Sequence, residues 1–297
     1  MVTYVGIDAG GTNIKGGLVS PTGKILNISS VPTASTKNRI IEDIGNLVYE
    51  LSREDTASFG LGIAGPIDKK GRVYPPNIRC LRGVNIKSYI NRYNIPGNLE
   101  NDSNCFLLGE RFFGGCKKNN DILGITLGTG TGGSIMIDGK LFRGKDGAAG
   151  EIGHMVLDCN DDKRHDSIPG SFENIASGTA IERRFKEKYG EKYSCEEIAK
   201  IAKKDKRADS VLKDAWGSIG IASASLANIF NPEVIVLGGS VSRTFKDYKR
   251  YMKKEFDKRC IKTSKSTKIM LSNLENPGII GAAVLGMKAQ EPEIFRY

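Results

Sequence analysis

Apolar residues in this chain follow two patterns, and together they predict an α/β protein. Short continuous apolar runs predict buried strands at 4–7, 59–63, 122–127 and 234–237. Apolar residues at helical spacing predict helices at 39–53, 208–230 and 278–287, the last opened by Pro277.

A glycine-rich hairpin is predicted between residues 3 and 17. Asp8 falls where the first strand should end, Gly10 and Gly11 turn the chain, and Thr12 and Lys15 follow. Two adjacent glycines let the backbone approach a ligand closely, with its amides pointing outward. A carboxylate, a glycine turn, a hydroxyl and an amine within eight residues indicate a site for phosphates and their metal. An ordinary glycine-rich hairpin is the alternative.

The same pattern occurs again 118 residues further along the chain. Residues 124–130 repeat the order of residues 6–12, an apolar strand that enters a Gly/Thr turn, and residues 234–240 form a third such unit. This spacing matches the size of one α/β lobe and is far longer than a solenoid repeat. The repeat therefore predicts a duplicated lobe, with two glycine turns that grip one polyphosphate across a cleft.

Length and composition allow one large domain or two lobes of ordinary size. The chain has 297 residues, of which 39% are hydrophobic and 26% charged, as in folded globular proteins. It starts at once with a strand-like segment, so we expect no signal peptide, and no apolar run approaches the length of a membrane span. Six cysteines without C-x-x-C spacing suggest reduced thiols in a cytoplasmic protein.

The net charge of +10 is unevenly distributed. Between Arg243 and Lys268 there are eleven basic and three acidic residues, on a predicted amphipathic helix. A solvated basic face is favoured over a nucleic-acid site, because the segment lacks a recognition motif and base-stacking aromatic residues. We therefore expect no nucleic acid among the partners, and only a general attraction of anionic nucleotides.

Polar residues lie near the predicted strand ends, where ligand sites are common. Gly65 is in the loop after the strand at 59–63, and Asn77 follows a rigid proline segment. Asp102 falls at a strand-to-helix junction. There it is either a helix N-cap or a general base that the helix N-terminus keeps ionised.

Further candidates lie in the second half of the chain. Glu151 and His154 can bracket a polyol, and Glu173 enters a predicted helix as either a cap or a ligand. Small residues line one side of the helix at 208–230, which predicts close packing against another helix or a dimer face.

Seven segments carry a resemblance to a known family. They are D-A-G-G-T-N-I-K at 8–15, G-I-A-G-P-I-D at 62–68, E-N-D-S-N at 100–104, L-G-T-G-T-G-G at 127–133, G-E-I-G-H-M at 150–155, E-N-I-A-S-G-T-A at 173–180 and L-G-G-S at 237–240. In this order the chain resembles sugar kinases of the repressor–ORF–kinase (ROK) family. The resemblance implies a two-lobed, actin-like (ribonuclease H-like) α/β fold, with duplicated mixed sheets and an interlobe cleft. We expect a small lobe of residues 1–110, completed by 277–297, and a large lobe of residues 111–276.

The resemblance also implies roles for individual residues. Asp102 would be the base that accepts the proton of the sugar hydroxyl. The residues implied around the sugar are Gly65, Asn77, Asn101, Asp102, Glu151, His154 and Glu173. Those implied around ATP are Asp8, which would lie near Mg²⁺, and Gly10, Gly11, Thr12, Asn13, Lys15, Gly128, Thr129, Gly130, Gly178, Gly238 and Gly239.

The chain departs from the family pattern at a zinc motif. Where many members carry C-x-C-G-x-x-G-C, this chain has Arg164, Asp166 and Ser171, with only Gly170 kept and Cys159 nearby. A closed structural zinc site wants four N/S ligands, so we expect no zinc. How the loop at 159–172 is held, and how His154 is oriented, are left open.

The activity implied by the resemblance is that of an ATP- and Mg²⁺-dependent kinase, acting on the 6-hydroxyl of a hexose or N-acylhexosamine as a homodimer. Glucose and N-acetylmannosamine are the expected substrates. The lack of the zinc cysteines favours N-acetylmannosamine, because some kinases of that type also lack them. Fructose is the next alternative.

Two other classes of function remain alternatives. A non-catalytic sugar sensor on the same fold is disfavoured because a sensor needs no base. The early phosphate hairpin also argues against the helix-turn-helix module of the family's repressors. A chaperone- or cytoskeleton-like ATPase would leave Glu151, His154 and Glu173 without a role.

Overall fold

The regular elements are those of a mixed α/β protein. A computed structural model describes residues 2–163, 165 and 167–290, without the side chains of residues 289 and 290. The strands are β1 (Thr3–Ala9), β2 (Asn13–Val19), β3 (Ile25–Pro32), β4 (Thr56–Ile63), β5 (Arg72–Val73), β6 (Val84–Asn85), β7 (Gly97–Asn101), β8 (Ile122–Leu127), β9 (Thr131–Ile137), β10 (Lys140–Leu141), β11 (Val234–Gly238) and β12 (Lys268–Leu271). The helices are α1 (Lys37–Leu51), α2 (Ile86–Ile90), α3 (Asp102–Phe112), α4 (Phe172–Ala176), α5 (Gly178–Tyr189), α6 (Cys195–Ile201), α7 (Lys206–Phe230), α8 (Phe245–Arg259) and α9 (Pro277–Gln290).

Two five-stranded sheets organise these elements. Their strand orders are β3-β2-β1-β4-β7 and β10-β9-β8-β11-β12, and β5 pairs separately with β6. In the first sheet β1 is antiparallel to β2 and parallel to β4. In the second, β9 is antiparallel to β10, and β11 is parallel to both β8 and β12. Both sheets are therefore mixed, as the predicted fold class requires.

By packing, the chain forms two compact units. The first contains the described residues of Met1–Asn120, Ser134–Gly150 and Ser272–Tyr297, and the second contains those of Asp121–Gly133 and Glu151–Leu271. The lobe limits expected from the sequence stay a prediction, and residues 291–297 of that expectation lie outside the described residues.

In the first unit, helices cover the sheet. The buried side of α1 packs on β1, β2 and β3, while α9 packs on β1, β4 and α3. Glycines bring α9 very close. A Cβ added to Gly6 or Gly60 would lie 2.0 Å or 1.8 Å from an α9 carbonyl oxygen, and one on Gly281 would lie 1.6 Å from the carbonyl oxygen of Cys105. The helix therefore lies directly against the backbone of the strand that carries Asp8.

In the second unit, α7 and α8 pack closely. A Cβ on Gly220 would lie 2.2 Å from the backbone oxygen of Met252. The indole of Trp216 is fully buried and donates a hydrogen bond to the hydroxyl of Thr244 at 2.8 Å. Of the two roles predicted for the small residues of α7, Gly220 therefore fills the first, close packing against another helix.

The predicted helices lie close to the observed ones. The helix expected at 39–53 is α1 and the one expected at 208–230 is α7. The basic segment at 243–268 forms α8 only as far as Arg259 and then continues as a 3₁₀ turn that leads into β12. None of the described helices combines the length and apolar character needed to cross a membrane. All six cysteines are free thiols.

Candidate active site

The β1–β2 hairpin holds a carboxylate beside a glycine turn. Asp8 lies near the end of β1, opposite Lys15 on β2 and Gly62 on β4. Asp8 is half-buried, whereas the turn residues Gly11–Asn13 and the Lys15 side chain are exposed. The turn can therefore meet a ligand from solvent while the carboxylate stays fixed beneath it.

Backbone hydrogen bonds hold the turn in place. The amide of Gly10 donates to the carbonyl of Asn13 at 3.1 Å. Thr33, just after β3, donates its amide to Thr12 O at 2.9 Å and its hydroxyl to Gly10 O at 2.7 Å. The carbonyls of the turn are thus engaged on the side of β3.

Two carboxylates interact electrostatically at this end of the sheet. Burial and, second, the charge of Asp102 raise the pKa of Asp8, and the charge of Lys15 lowers it, with a net result of about 7. Burial also raises the pKa of Asp102, against hydrogen bonds from Ser103 that lower it. Two like charges held together in a half-buried place favour a cation or a proton between them.

Asp102 begins α3 but does not cap it. The side chain of Asn101 is the N-cap and accepts hydrogen bonds from the amides of Ser103 and Asn104, at 2.9 Å and 3.2 Å. The Asp102 carboxylate instead accepts a hydrogen bond from the amide of Ser103, at 2.7 Å. The capping alternative predicted for Asp102 therefore belongs to Asn101.

Gly65 and Asn101 are joined. The side-chain amide of Asn101 donates to the carbonyl of Gly65 at 3.0 Å. Gly65 has φ of +85°, and an added Cβ would lie 2.6 Å from the carbonyl oxygen of Tyr74. Only glycine fits both this backbone conformation and this contact.

Asn77 lies against the turn of the β1–β2 hairpin. A Cβ on Gly11 would be 2.8 Å from the Cβ of Asn77. A cavity of about 420 Å³ opens at this contact. It is lined by Gly11, Thr33, Ala34, Ser35, Pro76, Asn77, Ile78, Arg79 and Cys80. The sequence predicted only Gly11 and Asn77 here, because the loops at 33–35 and 78–80 carry no motif.

In the second unit, the β8–β9 turn is bound to the α4–α5 junction. Gly178 donates its amide to Gly128 O at 2.8 Å, and the Thr179 hydroxyl donates to Thr129 O at 2.9 Å. The Glu173 carboxylate, on the first turn of α4, accepts from the Thr131 amide at 2.8 Å. An added Cβ on Gly130 would lie 2.5 Å from that carboxylate, so these predicted residues form one cluster.

Gly239 joins the same region. It has φ of +87°, and an added Cβ would be 2.3 Å from Leu127 O, at the end of β8. Gly238 ends β11 next to it. The glycine turns after β8 and β11 are therefore adjacent.

Glu151 precedes a short 3₁₀ helix, Ile152–His154, and His154 is its last residue. The Glu151 carboxylate lies 3.7 Å from Nε2 of His154, and Nδ1 of His154 lies 3.0 Å from the Ser167 hydroxyl. The residues predicted to hold sugar hydroxyls in this segment are thus oriented by one another and by the following loop.

Main-chain hydrogen bonds hold both ends of the loop at 159–172. The amides of Leu157 and Asp158 both donate to Gly170 O, at 2.8 Å and 3.1 Å, and Phe172 donates to Met155 O at 2.7 Å. Arg164 and Asp166, on which the zinc comparison depends, lie outside the described residues. Among the described residues no group of three or more His, Cys, Asp or Glu side chains could hold a metal, and the absence of zinc stays a prediction.

Magnesium is a hard cation that prefers oxygen ligands and keeps several waters. The donor chemistry at Asp8 fits it, since a carboxylate with a raised pKa beside Asp102 gains from a nearby positive charge. A site completed by phosphate oxygens needs no further protein ligands.

Comparison with known proteins agrees with these features. The sequence pattern described as the ROK family matches residues 4–289. A glucokinase of Thermotoga maritima is 33% identical over 261 residues, covering 80% of this chain and 82% of that protein. A xylose repressor of Bacillus spizizenii is 31% identical over 247 residues, covering 80% of this chain and 64% of the repressor.

A solved structure confirms the predicted fold class. The ROK family glucokinase from Streptomyces griseus, in complex with glucose and AMPPNP, matches this chain with a TM-score of 0.86 and 30% identity. The match covers 96% of this chain and 99% of that one.

Proposed function

Because the chain belongs to the ROK family, we propose that it is an enzyme that transfers the γ-phosphate of ATP to the 6-hydroxyl of a hexose or N-acylhexosamine. The position of Asp102 carries the proposal. Asn101 supplies the cap of α3, so the Asp102 carboxylate is available for chemistry beside the phosphate hairpin. A kinase needs a base at such a place, whereas a sugar sensor does not.

In the proposed reaction, Asp102 accepts the proton of the sugar hydroxyl. At the same time the sugar oxygen bonds to the γ-phosphorus, and the bond between the γ-phosphorus and the bridging oxygen of ADP breaks. Phosphoryl transfer leaves a protein little covalent chemistry, so positioning and charge stabilisation do most of the work. General-base help is worth about 10²–10⁴ in rate. Burial raises the pKa of Asp102, which strengthens it as a base once it is ionised.

The phosphates, in this proposal, meet the amides of two glycine turns. Gly10, Gly11, Thr12, Asn13 and Lys15 contribute from one turn, and Gly128, Thr129, Gly130 and Gly178 from the other. Gly238 and Gly239 flank the adenosine. Asp8 would hold Mg²⁺, which neutralises charge that develops on the phosphate oxygens.

Six residues in addition to Asp102 are proposed to hold the remaining sugar hydroxyls: Gly65, Asn77, Asn101, Glu151, His154 and Glu173. Glucose and N-acetylmannosamine are the substrates proposed first. The hydrogen bond from Asn101 to Gly65 and the contact of Glu173 with the β8–β9 turn support a preformed arrangement. Such preorganisation is what makes positioning effective.

Location and assembly belong to the same proposal. Six free thiols fit a reducing compartment, so we include a cytoplasmic location. A homodimer is proposed from the family resemblance, and size-exclusion chromatography with light scattering tests it.

The experiment measures ADP release with Mg-ATP and a panel of glucose, N-acetylmannosamine, N-acetylglucosamine, mannose and fructose. Asp102→Asn is expected to lower sugar-dependent kcat by about 10²–10⁴ while the sugar still binds. Asp43→Asn is the matched control, because Asp43 is also a buried carboxylate in the first unit but lies on α1.

Two outcomes would contradict the proposal. Sugar binding without turnover on any sugar would favour the non-catalytic sensor. Full turnover by Asp102→Asn would remove that residue from the role of base.

A further inference from the structure

Glu100, the residue before the Asn101–Asp102 pair, is a buried carboxylate that accepts three hydrogen bonds and forms an ion pair with Arg143. It is 6% exposed, at the end of β7. Its Oε1 accepts from the amide of Asn101 at 2.9 Å and from the side-chain amide of Asn104 at 3.0 Å. These two donors lie on either side of Asp102 in the sequence, so Glu100 fixes the first turn of α3 around it.

The other oxygen of Glu100 is held by Arg143. Nε of Arg143 donates to Oε2 at 2.7 Å, and Nη2 lies 2.6 Å from the same oxygen as an ion pair. Arg143 follows β10, 43 residues along the chain, and its side chain is half-exposed at 49%. A guanidinium presents several donors in one rigid plane, so it restricts both the position and the rotation of the carboxylate.

Removal of the guanidinium would leave a buried carboxylate short of charge compensation. Such a group protonates, turns toward solvent or draws in another cation, and each change disturbs its remaining hydrogen bonds. Glu100 also interacts electrostatically with Lys288 on α9 and with the Cys105 thiol on α3. While Arg143 is present, burial and the charge of Arg143 lower the pKa of Lys288 to about 7.

We propose that Arg143 is a positioning residue for the phosphoryl transfer, acting through Glu100 on the orientation of the base Asp102. This inference rests on the function proposed above. In this proposal Arg143 acts through Glu100 and not on the reacting atoms. It holds the carboxylate that holds the two residues on either side of the base.

The test compares Arg143→Ala and Arg143→Lys with wild-type protein on the sugar that the panel identifies. Arg143→Ala is expected to lower kcat roughly 10-fold to 100-fold, because small misplacements of a catalytic group have effects of that size. The sugar KM should change much less than kcat. Arg143→Lys keeps the charge but loses the planar set of donors, so its kcat should lie between those of wild-type protein and Arg143→Ala.

Arg39→Ala is the matched control. Arg39 also pairs with a buried carboxylate in the first unit, with Nε 2.9 Å from Asp43, and it lies on α1. Arg39→Ala should lower the melting temperature about as much as Arg143→Ala does, but it should leave kcat unchanged. Millimolar guanidinium should restore part of the kcat of Arg143→Ala, because the half-exposed side chain leaves an accessible space, and should not affect wild-type kcat.

The results separate this inference from the function on which it rests. No turnover by wild-type protein on any sugar would overturn the proposed kinase. Wild-type turnover with kcat of Arg143→Ala within about twofold would overturn only the role of Arg143. If Arg143→Ala does not fold, Arg143→Lys decides the question, and an unchanged kcat there contradicts the inference.

Discussion

At Asp8, burial and a neighbouring carboxylate act in the same direction. Both raise the pKa, to about 7 from the ordinary 3.8. The folded protein therefore holds a proton on Asp8 between about pH 4 and pH 7 that the unfolded chain has lost, and stability contributed by this group falls as pH rises through that window. Above about pH 7 Asp8 is ionised in the folded protein as well, and its destabilising effect on the fold is then complete.

Asp8→Asn should therefore stabilise the metal-free protein at pH 8. The melting temperature in EDTA should rise by about 5–10 °C, since each kcal/mol added to the free energy of unfolding raises it by roughly 2–4 °C in domains of this size. At pH 5 the gain should be clearly smaller. Thermal scans at both pH values measure it, and an equal gain at the two would contradict the raised pKa. Activity with Mg-ATP should be lost in this variant.

Gly65 combines a left-handed backbone with a close contact, and Gly83 allows the two to be separated. Gly83 has φ of +77° but nothing within 4 Å of an added Cβ. Both alanine variants should pay the backbone strain of about 1–2 kcal/mol. Only Gly65→Ala should also displace the segment before Asn77, with a roughly 10-fold to 100-fold loss in kcat/KM for the sugar.

Steady-state kinetics and thermal scans on the two variants measure both effects. An equal loss of kcat/KM in Gly83→Ala would show that strain alone is responsible.

The sequence offered a helix cap only at Asp102, whereas the structure gives that part to Asn101. Either side chain can cap a helix, and the choice depends on backbone angles at the junction, where Asn101 is extended. Arg143 could not be linked to Glu100 at all, because its partner is 43 residues away and no local pattern marks an arginine as an ion-pair donor.

Among the elements, the α7–α8 pair depends on a single glycine. Gly220→Ala would place a methyl group 2.2 Å from a backbone oxygen of α8, and overpacking of this kind costs about 1–3 kcal/mol. Gly217 is the control on the same helix, because its added Cβ would meet only Glu255 Cγ at 3.7 Å.

Chemical denaturation should show Gly220→Ala destabilised. Gly217→Ala should be unchanged or stabilised by about 1 kcal/mol, the usual gain of alanine over glycine in a helix. Destabilisation of the same size in both would mean that the two helices do not pack as closely as described.

Elements were the most predictable level. Hydrophobic spacing located α1 and α7 to within two residues at each end, because a helix with one buried side repeats its apolar positions every 3–4 residues. The contact of Glu173 with the β8–β9 turn was not predictable in the same way. It joins residues 42 positions apart and depends on how α4 packs.

For the whole molecule, each compact unit is assembled from separate stretches of the chain. α9 packs on β1, β4 and α3, which belong to the first 120 residues. Gly281→Ala should therefore destabilise the first unit although alanine favours helices, because the added methyl would lie 1.6 Å from Cys105 O. Hydrogen exchange should rise at the amides of β1 and β4, with those of β11 as the internal reference. Unchanged exchange at β1 and β4 would contradict the prediction.

The close approach of α9 also has a consequence for synthesis on the ribosome. Residues 121–271 are complete before α9 leaves the exit tunnel, so the second unit can finish folding while the sheet that carries Asp8 is still uncovered on the side where α9 packs. The apolar surface of β1 and β4 that α9 covers in the folded protein therefore stays exposed for most of translation. Chaperones that bind nascent apolar segments should therefore protect the first unit more than the second, and stalled chains that end before residue 277 should depend on them most.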